Sequence, residues 1–122
     1  MGTIAILTNS INGLYSFRRE LVEELLKKNS KIIISAPVDT KTNYFKGIGC
    51  NMVETNISRR GTNPISDFKL LINYIRIINK TKPDVVLTYT IKPNVYGGIA
   101  CRLTNTLQIA NITGLGTAVE NK

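Results

Sequence analysis

The chain has 122 residues, with 16 Lys or Arg against 8 Asp or Glu and neither His nor Trp. This length predicts one domain with an ordinary core, and the missing His excludes Ser-His-Asp and Cys-His nucleophiles and imidazole metal sites. No apolar run is long enough to cross a bilayer, and no signal peptide is visible. Cys50 and Cys101 lack metal-ligand spacing, so we expect buried, reduced thiols in a cytoplasmic protein.

The first half of the chain alternates apolar runs with amphipathic segments. Continuous apolar runs predict buried strands over residues 3–8, 31–36 and 51–55. The polar loop from Asn9 to Gly13 leads into a predicted helix over residues 14–28, and a shorter helix over 40–48 is stopped by Gly49. The first helix should face the core with its apolar residues at helical spacing, which are Leu14, Phe17, Leu21, Val22, Leu25 and Leu26.

The second half continues the same alternation. Asn63 as the cap and Pro64 as the first residue predict a long helix. Its predicted core stripe is Ile65, Phe68, Leu71, Ile72, Ile75 and Ile78. A fourth strand over 84–88, a helix from Pro93 to about Leu103 and a fifth strand over 107–112 follow. Because strands alternate with helices, we predict an α/β fold, a parallel sheet of about five strands covered by helices on both faces.

Three loops follow the carboxyl ends of predicted strands and should meet at the sheet edge where α/β proteins bind ligands. Hydroxyl and amide groups of the kind that bind sugar hydroxyls come from Asn9, Ser10, Asn12, Thr88, Tyr89, Thr90, Asn94 and Thr113. Gly13 and Gly114 complete the candidate binding loops, and Lys92 adds positive charge at a helix start suited to phosphate or carboxylate. Two alternatives stay open: residues 9–12 as a capped turn only, and Lys92 as a solvated charge.

Glycine and charge give two further indications. The pair Gly97-Gly98 inside the fourth helix predicts close packing of that helix on the sheet.

The net charge of +8 is concentrated in residues 58–82, which carry six basic residues against Asp67 alone. This basic band is either a phosphate or anionic-lipid site, with Arg59 and Arg60 as the candidate contacts, or an ordinary solvated helix face. It has no interleaved aromatic residues, so we do not expect nucleic acid as a partner.

Three segments together resemble the N-terminal half of a GT-B glycosyltransferase. They read "IAILTNSINGLYSFRRELVEELLKKNSKIIISAP", "RRGTNPISDFKLLINYIRIINKTKPDVVLTYTIKPNVYGGIACRL" and "IANITGLGTAVE". The resemblance covers essentially all 122 residues and is closest to the family 4 type of bacterial capsule, exopolysaccharide and O-antigen assembly. Its more specific parts are the turn at Lys92-Pro93 and the loop over residues 59–64.

The resemblance implies that residues 1–122 form a Rossmann-like, acceptor-side domain. A C-terminal domain, absent from this chain, would hold the nucleotide-sugar donor, which is UDP- or GDP-linked. This domain itself would then bind no cofactor and no metal. The implied acceptor is a polyprenyl-pyrophosphate-linked glycan at the cytoplasmic face of the plasma membrane, where the protein would associate peripherally. Many family members place His-Gly after the fifth strand, where this chain has Thr113-Gly114.

We assign no catalytic residue from the sequence and expect the domain alone to be inactive. Three other functions stay open. One is a non-catalytic subunit that recruits the catalytic half of a split glycosyltransferase to the membrane. Another is a domain like that of nucleotide-sugar epimerases, although that class depends on His. The third is a plain nucleotide-binding or signalling α/β domain, although a receiver domain of that kind would need acidic residues after the first strand, where this chain has Thr8-Asn9-Ser10.

Overall fold

The computed structural model describes residues 2–57 and 64–111. Within these ranges, strands and helices alternate along the chain as β1 (Thr3–Leu7), α1 (Ile11–Lys27), β2 (Lys31–Ala36), α2 (Thr42–Gly47), β3 (Asn51–Glu54), α3 (Pro64–Thr81), β4 (Val85–Tyr89), α4 (Ile91–Leu103) and β5 (Leu107–Asn111). The strands form one parallel sheet in the order β3-β2-β1-β4-β5. The predicted α/β fold, Rossmann-like with about five parallel strands, is confirmed.

The inner strands β2, β1 and β4 are buried on both faces of the sheet. On one face, Ile6 and Ile34 pack with residues of α1 and α2, and on the other, Leu7 and Ile33 pack with residues of α3 and α4. Because successive strand residues point to opposite faces, a strand covered on both sides must be apolar throughout. This explains the continuous apolar runs in the sequence.

The two cysteines lie in different cores, Cys50 on the α1–α2 side and Cys101 on the α3–α4 side. Both are free and buried, as predicted. Burial raises the pKa of each thiol to about 11, so both stay protonated near neutral pH.

The winding of the chain reverses between β1 and β4. From β1 the chain adds β2 and β3 on one side, and from β4 it adds β5 on the other. The two strands are paired in parallel, with Leu7 opposite Thr88. The loops that follow β1 and β4 are therefore neighbours at the carboxyl edge, at the point where α/β folds most often bind ligands.

Two helices begin earlier than predicted. Helix α1 begins at Ile11 because the Ser10 hydroxyl caps it, accepting a hydrogen bond from the Gly13 N–H at 2.9 Å. Helix α4 begins at Ile91 rather than at Pro93. A proline is tolerated at the third helical position because N–H groups of the first turn have no intrahelical acceptor. Both loops are therefore short, and Asn12, Gly13, Lys92 and Asn94 lie in first turns of helices.

The predicted core stripe of α3 is wrong in half of its members. Ile78 is buried, and Leu71 and Ile75 pack against the core, but Ile65, Phe68 and Ile72 are exposed. Phe68 is 62% exposed and Ile65 68% exposed, whereas the side that packs on the sheet is Leu70, Tyr74, Ile77 and Ile78. Helix α3 has apolar residues on nearly all sides, so periodicity alone does not select the side that meets the sheet. The same error affects α1, where Phe17 is 75% exposed while Leu14 and Val22 are buried.

Helix α4 packs unusually close to the sheet. A Cβ atom at Gly97 would lie 2.8 Å from Thr88 Cγ2 and 2.9 Å from Leu7 Cδ1. A Cβ atom at Gly98 would lie 3.0 Å from Gln108 Oε1. Contacts this short are not tolerated without movement of the neighbours, so the predicted reason for the glycine pair is confirmed.

Candidate functional site

The β1–α1 connection is a capped turn built from two hydroxyls. The buried Thr8 hydroxyl accepts a hydrogen bond from the Ser10 N–H at 3.2 Å. The Ser10 hydroxyl in turn accepts from the Gly13 N–H. These bonds satisfy backbone groups at the start of α1 and fix the path of the half-buried Asn9 between them. Ser10 therefore shapes the loop, and the alternative of a capped turn holds for this residue.

Asn12 joins the β1–α1 turn to the β2–α2 loop. Its amide donates to Asp39 Oδ1 at 3.3 Å, and the Thr40 hydroxyl donates to Asn12 Oδ1 at 3.0 Å. The Thr42 hydroxyl accepts from the Asp39 N–H at 2.8 Å and fixes that loop. Asn12 and Thr40 are exposed. We call Asn12, Asp39 and Thr40 the Asn12 cluster; it presents amide, carboxylate and hydroxyl groups to solvent at the carboxyl edge.

Asp39 and Thr40 were not predicted as site residues. They follow the carboxyl end of β2, next to β1 in the sheet. The rule that selected the loops after β1 and β4 would have selected this loop as well.

The polar side chains at the β4–α4 junction form hydrogen bonds to other residues of the chain. The Thr88 side chain is fully buried; its hydroxyl donates to Asn94 Oδ1 at 2.6 Å and accepts from Gln108 Nε2 at 2.9 Å. The Asn94 amide donates to the Asn111 carbonyl at 2.9 Å, and the Asn111 amide donates to the Thr88 carbonyl at 3.3 Å. This Thr88–Asn94 network ties β4, α4 and β5 together. Gln108 and Asn111 were missed, although a polar pair within the last apolar strand was a signal.

A single strained residue connects β4 to α4. Thr90 has φ 72° and ψ 171°, a region that is essentially restricted to glycine. Its hydroxyl donates to the Tyr89 carbonyl. The sharp turn starts α4 directly above the end of β4. The Tyr89 side chain points away into the core, only 5% exposed, with the Arg18 guanidinium 5.8 Å from its ring centroid. Burial raises the pKa of Tyr89.

Lys92 is paired rather than solvated. Its Nζ lies 2.8 Å from Asp67 Oδ1 in the first turn of α3, and both side chains are 15% exposed. The Tyr96 hydroxyl donates to the other Asp67 oxygen at 3.1 Å. The bond from Lys92 holds the pKa of Asp67 below its usual value. The alternative of a solvated Lys92 is therefore wrong, and its charge links the first turns of α3 and α4.

The remaining predicted residues lie outside the described part of the chain. These are Thr113 and Gly114 in the loop after β5, and Arg59 and Arg60 in the basic band. In residues 2–57 and 64–111, no three His, Cys, Asp or Glu side chains are grouped so as to hold a metal ion. No helix in those ranges is long and apolar enough to span a membrane.

The described edge carries exposed hydrogen-bonding groups. The Asn12 cluster can exchange hydrogen bonds with the hydroxyl groups of a sugar, since it combines donors and acceptors on one exposed surface.

Comparisons with known proteins bear on the family and the fold of the chain. A family model described as "Glycosyl transferase 4-like" matches residues 4–122. No curated protein matches the chain.

Several solved structures share the fold. A glycosyltransferase from Rickettsia africae ESF-5 superposes with a TM-score of 0.77 at 19% identity, covering 91% of this chain and 29% of that one. Acinetobacter baumannii MurG gives 0.72 at 15% identity, with 90% and 34% covered. The UDP-GlcNAc 2-epimerase of Methanocaldococcus jannaschii gives 0.62 at 16% identity, with 88% and 30% covered. At these identities the likeness shows the fold alone. The chain spans about a third of the length of each structure.

Proposed function

Because the chain belongs to the glycosyl transferase 4-like family, we propose that it is the acceptor-side half of a glycosyltransferase. The full enzyme would move a sugar from a UDP- or GDP-linked donor to a polyprenyl-pyrophosphate-linked glycan in polysaccharide assembly. The family match supports the reaction class. The acceptor, the donor nucleotide and a position at the cytoplasmic face of the plasma membrane are parts of the proposal.

One observation carries the acceptor assignment. The Asn12 cluster presents exposed hydrogen-bonding groups at the carboxyl edge, beside the β1–β4 switch point. The described residues contain neither a phosphate-binding glycine loop nor a metal cluster that would favour the nucleotide donor on this half. A C-terminal domain would then hold the donor, and the closed cleft between the domains would stabilise the departing nucleoside diphosphate.

In this proposal, different loops of the domain have different roles. The Asn12 cluster orients the acceptor hydroxyl, and the loops after β4 and β5, including Thr90, Lys92, Thr113 and Gly114, border the transferred sugar. No catalytic group is assigned to this chain. We therefore expect residues 1–122 alone to transfer no sugar.

Calorimetric titration tests the proposal. The chain is titrated with UDP-sugars, with GDP-sugars and with a short, water-soluble polyprenyl-pyrophosphate glycan. We expect binding of the glycan and weak or absent binding of the nucleotides. Asn12→Ala should weaken glycan binding about five- to tenfold, the effect of losing one or two hydrogen bonds. Asn79→Ala is the matched control, because Asn79 is also exposed but lies in the last turn of α3, outside the candidate site.

Tight nucleotide binding without a response to the glycan would contradict the assignment and place the donor on this domain. A second candidate, a nucleotide-sugar epimerase, is favoured by the fold shared with the Methanocaldococcus jannaschii enzyme. It is opposed by the absence of His from the chain. Incubation with UDP-N-acetylglucosamine, followed by chromatography of the sugar, separates these functions: an epimerised product would favour the second candidate.

A non-catalytic subunit of a split enzyme is a further form of the same proposal. It differs in the source of the donor domain, which would be a separate chain. Co-purification of the chain with a donor-binding protein that restores transfer would favour this form.

A further inference from the structure

Two cationic side chains contact the ring of Tyr15 on α1. The Arg19 guanidinium lies 4.7 Å from the ring centroid, and Lys41 Nζ lies 4.4 Å from the same centroid. The ring packs edge-on against two aromatic residues of α2, with centroid distances of 4.9 Å to Tyr44 and 6.4 Å to Phe45. We call Tyr15, Arg19 and Lys41 the Tyr15 site. All three side chains are half-buried, so they pack against neighbours and are still accessible to solvent.

The two cations of the Tyr15 site have no acidic partner. Within residues 2–57 and 64–111, neither Arg19 nor Lys41 forms an ion pair with a carboxylate. Glu23 lies one turn after Arg19, but its carboxylate accepts a hydrogen bond from the Tyr44 hydroxyl. Asp39, two residues before Lys41, is hydrogen-bonded within the Asn12 cluster. Two like charges therefore lie beside one ring, where they repel each other.

This arrangement is suited to an anionic group. The face of an aromatic ring attracts cations, but the ring has no net charge and neutralises neither of them. An anion that contacts both cations would offset their repulsion. A guanidinium group binds carboxylate or phosphate through two parallel hydrogen bonds, and a lysine ammonium adds a point charge.

The Tyr15 site adjoins the Asn12 cluster. Asn12, Tyr15 and Arg19 follow one side of α1 at spacings of three and four residues. Each step along that side is roughly 5 Å, which is comparable to the width of one sugar ring. Lys41 directly follows Thr40, whose hydroxyl donates to Asn12 Oδ1. A glycan bound to the Asn12 cluster would therefore place its next sugar beside the Tyr15 site.

We propose that the Tyr15 site binds an anionic substituent, a carboxylate or a phosphate, on a sugar of the acceptor glycan. In the proposed function, the Asn12 cluster holds the sugar that receives the transferred group. Because α1 leads away from the carboxyl edge, the Tyr15 site would bind the acidic sugar next to it and select acidic glycans over neutral ones. This role in acceptor choice rests on the proposed function, whereas the anion site itself does not.

Three related disaccharides test the inference. They are cellobiose, its 6′-phosphate, and cellobiouronic acid, in which a carboxylate replaces the terminal hydroxymethyl group. Amide chemical shifts of the chain are followed during titration with each compound. We expect an acidic disaccharide to shift residues 15, 19 and 41 and to bind about tenfold more tightly than cellobiose. The tighter of the two acidic compounds identifies whether the site takes a carboxylate or a phosphate.

Substitution of each cation separates anion binding from packing. Arg19→Gln and Lys41→Gln should each weaken binding of the acidic disaccharide about fivefold and leave the affinity for cellobiose unchanged. Arg102→Gln and Lys31→Gln are the matched controls, because Arg102 is exposed in the last turn of α4 and Lys31 is exposed at the start of β2. Both controls should bind all three compounds like the natural chain. Circular dichroism should show all four variants folded.

Three outcomes would overturn the inference. Equal affinities for cellobiose and both acidic disaccharides would show that the site does not recognise charge. Equal losses of neutral and acidic binding in Arg19→Gln would give Arg19 a purely structural role. Inorganic pyrophosphate that shifts residues 15, 19 and 41 and binds more tightly than either acidic disaccharide would assign the site to the pyrophosphate of a lipid carrier.

The same titrations distinguish failure of this inference from failure of the proposed function. Shifts in residues 9–13 and 39–40 without a preference for charge would support the acceptor site and refute the anion site. Shifts in residues 15, 19 and 41 with the acidic compounds, and none in residues 9–13, would support the anion site and contradict acceptor binding at the Asn12 cluster.

Discussion

Two neighbouring parts of the carboxyl edge contain similar polar residues, but these are buried in one part and exposed in the other. In the β4–α4 junction, Thr88 and Asn94 direct their polar groups inward to Gln108 and Asn111. In the Asn12 cluster, amide, carboxylate and hydroxyl groups bond to one another at the surface and keep access to solvent. Hydroxyl and amide residues at strand ends therefore mark the carboxyl edge, and their burial decides whether they stabilise the fold or stay accessible to a ligand.

The largest expected effect is at the close contact of α4 with the sheet. Gly97→Ala should lower the free energy of unfolding by about 1–3 kcal/mol, because the added methyl group would overlap Thr88 and Leu7. Urea unfolding measures the change. Gly47→Ala is the control: it also lies in a helix but has open space around its Cβ position, so it should raise the free energy of unfolding by up to about 1 kcal/mol. Equal behaviour of the two variants would contradict the packing of α4.

Paired alanine variants test the comparison itself. Asn94→Ala removes the acceptor of the Thr88 hydroxyl and the donor to the Asn111 carbonyl, and should lower the free energy of unfolding by about 1–2 kcal/mol. Asn12→Ala should change it by no more than about 0.5 kcal/mol because its site is exposed. Chemical unfolding of both variants measures the difference. A loss for Asn12→Ala as large as that for Asn94→Ala would remove the distinction between the two regions.

Substitution at the strained residue before α4 should stabilise the fold, whereas the two preceding substitutions in α4 should destabilise it. Thr90→Gly should raise the free energy of unfolding by about 1 kcal/mol, since glycine adopts this backbone conformation without steric cost but is more flexible when unfolded. Thermal or urea unfolding measures the gain. A destabilised glycine variant would show that the threonine side chain contributes more at this position than the strain costs.

The smallest effect concerns the pair that joins α3 to α4. The pKa of Asp67 is lower in the folded chain than in the unfolded chain. The charged carboxylate therefore stabilises the fold above the unfolded pKa, and this contribution is lost as the pH falls through the folded pKa. We expect Asp67→Asn to be less stable than the natural chain at pH 7, with the difference disappearing in acid. Unfolding curves over this pH range check the sign, and a difference that grows in acid would contradict it.

The sequence was sufficient for the order of the elements and for the two-sided sheet. Continuous apolar runs such as that of Ile32 to Ile34 occur where both faces of a strand are covered. The Gly97-Gly98 pair also indicated correctly that α4 lies close to the sheet. These are local signals, and each depends on a few consecutive residues.

The contacts that were not predicted depend on residues that are far apart in the sequence. Gln108 reaches Thr88 only because β5 pairs with β4 in a register that sets Val86 opposite Gln108. Part of the core side of α3 was missed for a similar reason, because the apolar side of the helix is wider than its contact with the sheet, which selects Tyr74 rather than Phe68. The strain at Thr90 has no sequence signal, since a threonine is an ordinary strand-end residue.

Amide chemical shifts of the chain during titration with the water-soluble glycan test the assignment of the acceptor most directly. We expect the changes to concentrate in residues 9–13 and 39–41, and to extend across the β1–β4 boundary to Thr90 and Lys92. Changes confined to the opposite edge of the sheet, around Lys82 and Thr104, or the absence of any change near Asn12, would contradict an acceptor site at the carboxyl edge.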